Sequence, residues 1–368
     1  MSADLERLID RALRVQAVPA PTFAEAARAE LMRAELASVG LADVEIDAVG
    51  NVYARLPGGG NPPIVVSAHL DSVFPAEAHV PARRIGGRVT GPGIGDNAIA
   101  LAALVEVGLC APADLPGDLW LVADVCEEGL GNLRGMTAVL ERFGDTPLAY
   151  IVLEGMSFGQ VYHRSLPSRR YRISTRAPGG HSWLHAGRPS AVHVLIQIGA
   201  SLLSIGLPEK PRAALNIGRV EGGIGVNTIA PEAHMEVDLR CEATETLEAL
   251  AAHLEDTVQE RAWPEVEIGL ECIGIRPGGA IPADHPLVAA AVRALRDTGG
   301  IQARLEVGST DASVPLSRGL PAVCVGLTRG TRAHCLDESI ELEPLGRGLA
   351  SLLSLIRAVF EIPESNRP

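Results

Sequence analysis

Four short runs set the folding problem for this chain: 64-IVVSA-68, 119-LWLVADV-125, 149-AYIVL-153 and 321-PAVCVGL-327. Each is almost continuously apolar and β-branched, without alternation, and each is too short for a buried helix. A strand can be apolar along its whole length only where both faces are covered, as in a parallel sheet packed between helices. Helical patterns such as 98-AIALAALVEVGL-109 fall between some of the runs, so an α/β domain with a mostly parallel sheet is expected. Two helices precede it. One lies around residues 3–16, and one opens at 22-TFAEAARAELMRAELASVG-40, where Thr22 and Glu25 have capping-box spacing and Gly40 suits the C-terminal cap.

The middle of the chain follows another rhythm: strand 169–176, helix 189–205, strands 213–221 and 232–241, helix 244–260, strand 264–273. This βαββαβ order is that of a ferredoxin-like α+β sandwich. Stretches punctuated by Gly and Pro, 155–170 and 274–286, bracket it, so it reads as an insertion. The expected division is one domain made of residues 1–166 and 276–368, with 167–275 inserted. A length of 368 residues, about twice that of a usual single domain, agrees with two cores.

Several partners are excluded. No apolar run reaches the roughly 18 residues a membrane span needs. The opening MSADLERLIDRALRV spaces acids and arginines along an amphipathic helix and lacks a signal-peptide core, so a cytoplasmic location is expected. A net charge of −13 without any basic tract argues against nucleic acid. The six cysteines, Cys110, Cys126, Cys241, Cys272, Cys324 and Cys335, contain no CxxC pair and read as buried, reduced thiols.

Ligands of open α/β sheets gather beyond the C-terminal ends of the strands. His69 and Asp71 follow the first run, Glu127 and Glu128 the second, and Glu154 the third; a loop after the fourth brings His334. Asp96 lies in the glycine-rich turn 90-TGPGIGDNA-98. Five carboxylates at one sheet edge need a countercharge, and divalent metal ions supply it most economically. Two ions fit better than one. With Asp96 bridging, His69 and Glu154 complete one site while Glu128 and His334 complete the other, the nitrogen and oxygen donor set of catalytic zinc. Asp71 then accepts the second ring N–H of His69. Glu127, left without a metal, is placed to be the general base.

The segments HLD (69–71), GPGIGDN (91–97), EEGLG (127–131), LEG (153–155), GGHS (179–182), GVNTIAPEAHMEVDLR (225–240), RPG (276–278), GSTDAS (308–313) and AHCLDE (333–338) resemble, in order, the dinuclear zinc amidohydrolases and peptidases. That family includes glutamate carboxypeptidase, acetylornithine deacetylase, succinyl-diaminopimelate desuccinylase, aminoacylases and peptidase T. The resemblance implies a zinc-exopeptidase-like catalytic domain and an inserted domain that dimerises and closes over the substrate. It implies a cis peptide between Asp96 and Asn97. It gives His181 the role of an oxyanion donor reaching across a homodimer. Asn227 and Arg276 would hold a substrate carboxylate, with Gly308, Ser309 and Thr310 lining the same pocket. Ala98 and Cys126 depart from the family pattern, which often has lysine at the first position and an acid or small polar residue at the second.

The expectation is a hydrolase of amide bonds in small substrates, N-acyl amino acids or short peptides with a free carboxylate. Its cofactors are two divalent ions, zinc first, with cobalt or manganese as the other candidates. A glutamate at position 154 resembles the carboxypeptidases and deacylases of the family. Two rival readings are a di- or tripeptidase that recognises a free amine, and a peptide-binding protein without catalysis. Glu338 is placed either to orient His334 or to cap the next element. His181 and His185 stand four apart, but in a loop, which disfavours a separate metal pair. His163 reads as part of a hinge or solvated face, with a substrate contact as the alternative.

Overall fold

The computed structural model describes residues 3–112, 114–260 and 263–363. They divide into two compact units, one formed by the chain up to Ser165 together with the chain from Gly279, the other by Leu166–Gly278.

An eight-stranded sheet organises the first unit. Its centre holds the four apolar runs side by side and parallel, in the order Gly117–Asp124, Asn61–His69, Ala149–Leu153, Ala322–Val325. The expectation of a parallel, doubly covered centre is met: Val65, Val66, Leu121, Val122, Ile151 and Val323 are all buried. Both flanks carry strands that the apolar runs do not announce. On one side lies the antiparallel hairpin Ala42–Ile46 and Val52–Leu56. Its turn is closed by Asp47, whose Oδ1 accepts from the amides of Val49, Gly50 and Asn51. On the other side lie Gln160–Ser165 and Arg304–Gly308. His163, expected in a solvated hinge, is a buried residue of the first of these, with Nδ1 2.7 Å from Ile281 O. A smaller sheet of four short strands carries Arg88–Thr90 and Ser339–Glu341.

Helices Ala3–Gln16 and Ile99–Cys110 pack together, as do Pro286–Gly299 and Leu345–Phe360. The second helix runs Ala26–Ser38, three residues later than its capping-box letters suggest. Gly40 does follow it in the left-handed region, φ +82°. Cys110 and Cys272 are exposed, contrary to the expectation of buried thiols. Among the described residues no helix is long and apolar enough to cross a membrane.

In the second unit, strands Ala213–Gly222, Glu232–Cys241, Ser168–Arg176 and Glu267–Arg276 form an all-antiparallel sheet in that spatial order. Helices Ala191–Leu203 and Thr244–Gln259 pack on one face over Tyr171, Ile173, Met235, Val237 and Leu239. The βαββαβ order and its ferredoxin-like strand arrangement are those expected. The last strand begins three residues later than its sequence pattern and ends on Arg276.

Candidate metal centre

The strand ends deliver their polar residues to one place. Donor atoms of His69, Asp96 and Glu154 lie within 4.8 Å of one another, and so do those of Asp96, Glu128 and His334. Asp96 belongs to both groups. A third, overlapping group joins Glu127 to His69 and Glu128. One Asp96 oxygen is 3.0 Å from His69 Nε2 and the other 3.2 Å from His334 Nε2. His334 Nε2 is also 3.2 Å from Glu128 Oε1, and His69 Nε2 is 4.0 Å from Glu154 Oε2.

Glycine makes part of this convergence possible. A Cβ on Gly155 would stand 2.2 Å from the main-chain oxygen of Gly95, so only glycine lets the strand end bearing Glu154 meet the turn bearing Asp96. Asn97 ties the same two segments, donating from Nδ2 to Leu153 O at 2.8 Å and accepting the Gly155 amide at 3.1 Å. The Asp96–Asn97 peptide is cis, as the resemblance implied. Glu338 takes neither expected role, orienting His334 or capping the next element: its Oε1 accepts the amides of Gly95 and Asp96 at 2.7 and 3.0 Å and so holds the turn that bears Asp96. Burial and the neighbouring Asp96 push the Glu338 carboxyl up to about 7, against the pull of those two amides.

Asp71 acts partly as expected. His69 Nδ1 lies 3.0 Å from the main-chain oxygen of Asp71 and 3.5 Å from its Oδ1, so the shorter contact is to the backbone. The carboxylate is occupied elsewhere, accepting the amides of Glu127 and Glu128 at 2.9 Å each and the hydroxyl of Thr22 at 2.8 Å. Thr22 and Glu25 are therefore not a capping box. Glu25 accepts from Phe23 N and Cys126 N. Nothing in the local sequence separates these roles, because the residues they serve are 49 and 101 positions away.

The electrostatics test whether this cradle suits metal ions. His69 Nδ1 faces a carbonyl oxygen, which can only accept, so Nδ1 carries the hydrogen and Nε2 in the neutral ring is a lone pair aimed at Asp96. Lone pair against carboxylate requires a proton or a cation between them. Burial lowers the His69 pKa, but Asp71 and Asp96 outweigh it and the ring is held well above its usual range. Asp96 and Glu128 likewise hold His334 up to about 11. Burial, then Asp96, drives Glu154 well above the usual carboxylate range. Burial takes Glu128 up to about 7 although His334 pulls it down. The histidines thus serve as makeshift cations, and the donor set fits two divalent ions that would displace those protons.

Two buried acids went unread in the sequence. Asp124 and Asp311 are almost wholly inaccessible, their carboxyl groups face each other, and their four oxygens meet no other hydrogen-bond partner among the described residues. Burial raises Asp124 to about 7, and burial with Asp124 drives Asp311 well above its usual range. Asp124 pairs in register with His69 on the neighbouring strand, while Asp311 ends the turn begun by Gly308, Ser309 and Thr310. Within the second unit, His181 and Asn227 are neighbours: Gly180–His181 pairs with Thr228–Ile229, and Ser182 N donates to Asn227 O. His185 Nδ1 accepts the His181 amide at 2.9 Å.

An α/β unit whose strand ends hold two carboxylate-histidine cradles around one shared aspartate, carrying an inserted α+β unit, defines the class of dinuclear metallohydrolases. Residues 65–358 match Peptidase family M20/M25/M40, and the chain belongs to that family. It is 26% identical over 353 residues to succinyl-diaminopimelate desuccinylase of Corynebacterium glutamicum, covering 92% of this chain and 91% of that one. It is 27% identical to N-acetyl-L-citrulline deacetylase of Xanthomonas campestris over 325 residues, 81% of this chain and 82% of the other. The fold is also that of a dinuclear metal-binding peptidase of the M20 family from Bacillus subtilis, with a TM-score of 0.66, 19% identity, and coverage of 98% and 99%.

Proposed function

We propose that this hydrolase cleaves the amide bond of N-acyl amino acids, or of short peptides ending in a free carboxylate. The observation that carries this reading is the pair of three-residue cradles sharing Asp96, with Glu127 beside His69 of one and Glu128 of the other. His69, Glu154 and Asp96 would hold one ion, Glu128, His334 and Asp96 the other, with zinc the metal that best suits a mixed nitrogen and oxygen set. When bound, such ions polarise the scissile carbonyl and make water a nucleophile near neutral pH.

The chain's own groups do the rest. Glu127 takes a proton as the water oxygen attacks the carbonyl carbon, then gives it to the nitrogen as the C–N bond breaks. Asp71 keeps Glu127 and Glu128 in place through their amides. His181 Nδ1 accepts from the amides of Trp183 and Leu184, at 3.2 and 3.4 Å, which leaves the hydrogen on exposed Nε2. That is the tautomer an oxyanion donor needs. Arg276 and Asn227 are assigned to the substrate carboxylate, and Gly308, Ser309 and Thr310 to the pocket wall. We assign His181 to a second copy's active site. Among the described residues the edge strand Ala213–Gly222 has a neighbour on one side only, Val220 on it is exposed, and the adjacent helix exposes Ile196 and Leu203, a surface suited to a homodimer.

The names of the two sequence relatives, a desuccinylase and a deacetylase, support N-acyl substrates. The deciding experiment incubates metal-loaded protein with a panel of N-acyl amino acids and free dipeptides, with chelator controls. Hydrolysis of the acylated series is expected. Turnover of the free-amine series alone would replace this reading with a dipeptidase.

A further inference from the structure

Three consecutive main-chain amides, those of Cys126, Glu127 and Glu128, each donate to a buried carboxylate. Asp71 takes the last two, and Glu25 Oε1 takes the first at 3.2 Å. The same Glu25 oxygen receives the Cys126 thiol at 3.4 Å and the Phe23 amide at 3.0 Å. Cys126 sits at φ +62° and Phe23 at φ +75°, both in the left-handed region that side-chain-bearing residues avoid. Such conformations persist where the surroundings dictate them, and here a single buried oxygen does so for both. Arg28 completes the arrangement. Buried almost entirely, it donates to the main-chain oxygens of Val18 and Leu70, while its charge faces Asp71 and Glu25. Arg28 thus places one buried positive charge beside both amide-accepting carboxylates.

We propose that Glu25 is a positioning residue: its carboxylate holds Cys126 in the left-handed conformation that sets the course of the Cys126–Glu128 turn and so aims Glu127. The segment 18–28, remote in sequence from every proposed ligand, is by this inference the mount of the catalytic turn. The inference rests on the reading of Glu127 as base and deepens it. Acceptor chemistry is the essential property, so glutamine, which keeps an oxygen at the same reach, substitutes for glutamate, and alanine does not.

The test compares full-length Glu25→Ala and Glu25→Gln with the parent, each loaded with cobalt(II) as the probe ion. Expected is an altered visible absorption of bound cobalt in Glu25→Ala, reporting a moved Glu128, and the parent spectrum in Glu25→Gln. With a hydrolysed N-acyl amino acid, kcat of the alanine variant falls at least about tenfold while KM stays within about twofold, since misplacing a catalytic group by about 1 Å costs up to about 100-fold. If the alanine variant does not fold, the glutamine variant decides alone: folded with the parent spectrum, it upholds the acceptor role. A parent-like spectrum and kcat in Glu25→Ala, or an altered spectrum in folded Glu25→Gln, overturns the inference. Because the spectrum needs no substrate, loss of the hydrolase reading would leave this result standing.

Discussion

Replacing Gly155 with alanine offers a direct lever on the metal cradle. The new Cβ would stand 2.2 Å from Gly95 O and 2.3 Å from Ile99 Cγ2, whereas a carbon and an oxygen settle near 3.2 Å or beyond. Gly95 O is main chain and is held indirectly by Glu338 through the neighbouring amides, so it cannot swing aside. The turn bearing Asp96 and the strand end bearing Glu154 must separate by roughly an ångström. Overpacking of this kind costs about 1–3 kcal/mol. If the strain falls on the cradle, about 1.4 kcal/mol is a tenfold loss of affinity, so the ion held by His69, Asp96 and Glu154 should bind roughly 5- to 150-fold more weakly. The second ion, whose Glu128 and His334 do not touch Gly155, should suffer less. Zinc titration of chelator-stripped protein by calorimetry reads both sites. Gly346→Ala is the control, because a Cβ there meets nothing within 4 Å. Two ions bound by Gly155→Ala with parental affinities would refute the reasoning that this glycine sets the Asp96–Glu154 approach.

Other expectations follow from the same geometry. Glu127→Ala should keep two bound ions yet lose about 10²- to 10⁴-fold in kcat, measured with any substrate the panel yields; a parallel loss of metal would assign Glu127 to ligation instead. Asp124 has a folded pKa of about 7 against an ordinary 3.8, so its contribution to stability is full below about pH 4 and is lost as pH rises towards 7. In metal-free protein, Asp124→Asn should therefore gain on the parent by about 2–3 kcal/mol between pH 5 and pH 8 in urea unfolding, and a difference independent of pH would deny the raised Asp124 pKa. Mixing His181→Ala with Glu127→Ala subunits should restore part of the activity each variant lacks. Verified heterodimers that stay inactive would remove His181 from a neighbour's site.

Much of this site is legible because a parallel sheet forces the chain to change character at each strand end. His69, Glu127, Glu128 and Glu154 interrupt or terminate apolar runs, and that interruption is the signal. What escapes is whatever depends on pairing across the sequence. Thr22 and Glu25 carry the letters of a local cap, and the folded chain uses them on Asp71 and Cys126, 49 and 101 residues on. Asp124 hides inside 119-LWLVADV-125 as one polar letter in a strand, and only the fold brings it to Asp311. The flanking hairpin was readable: 42-ADVEI-46 alternates in burial and the Asp47–Gly50 turn follows it, but this weaker period-two pattern is outweighed by the continuous runs beside it. Arg276 ends a strand where Pro277 and Gly278 suggest a loop, since the ladder to Ser168 continues to its last residue.

The claim beneath all of this is that two ions share Asp96. Anomalous scattering at the zinc edge from zinc-soaked crystals tests it most directly. The account predicts two peaks about 3.5–4 Å apart, one within about 2.0–2.2 Å of His69 and Glu154 and the other equally near Glu128 and His334, with Asp96 touching both. A single peak, or two peaks of which one lies beyond reach of Asp96, would contradict it.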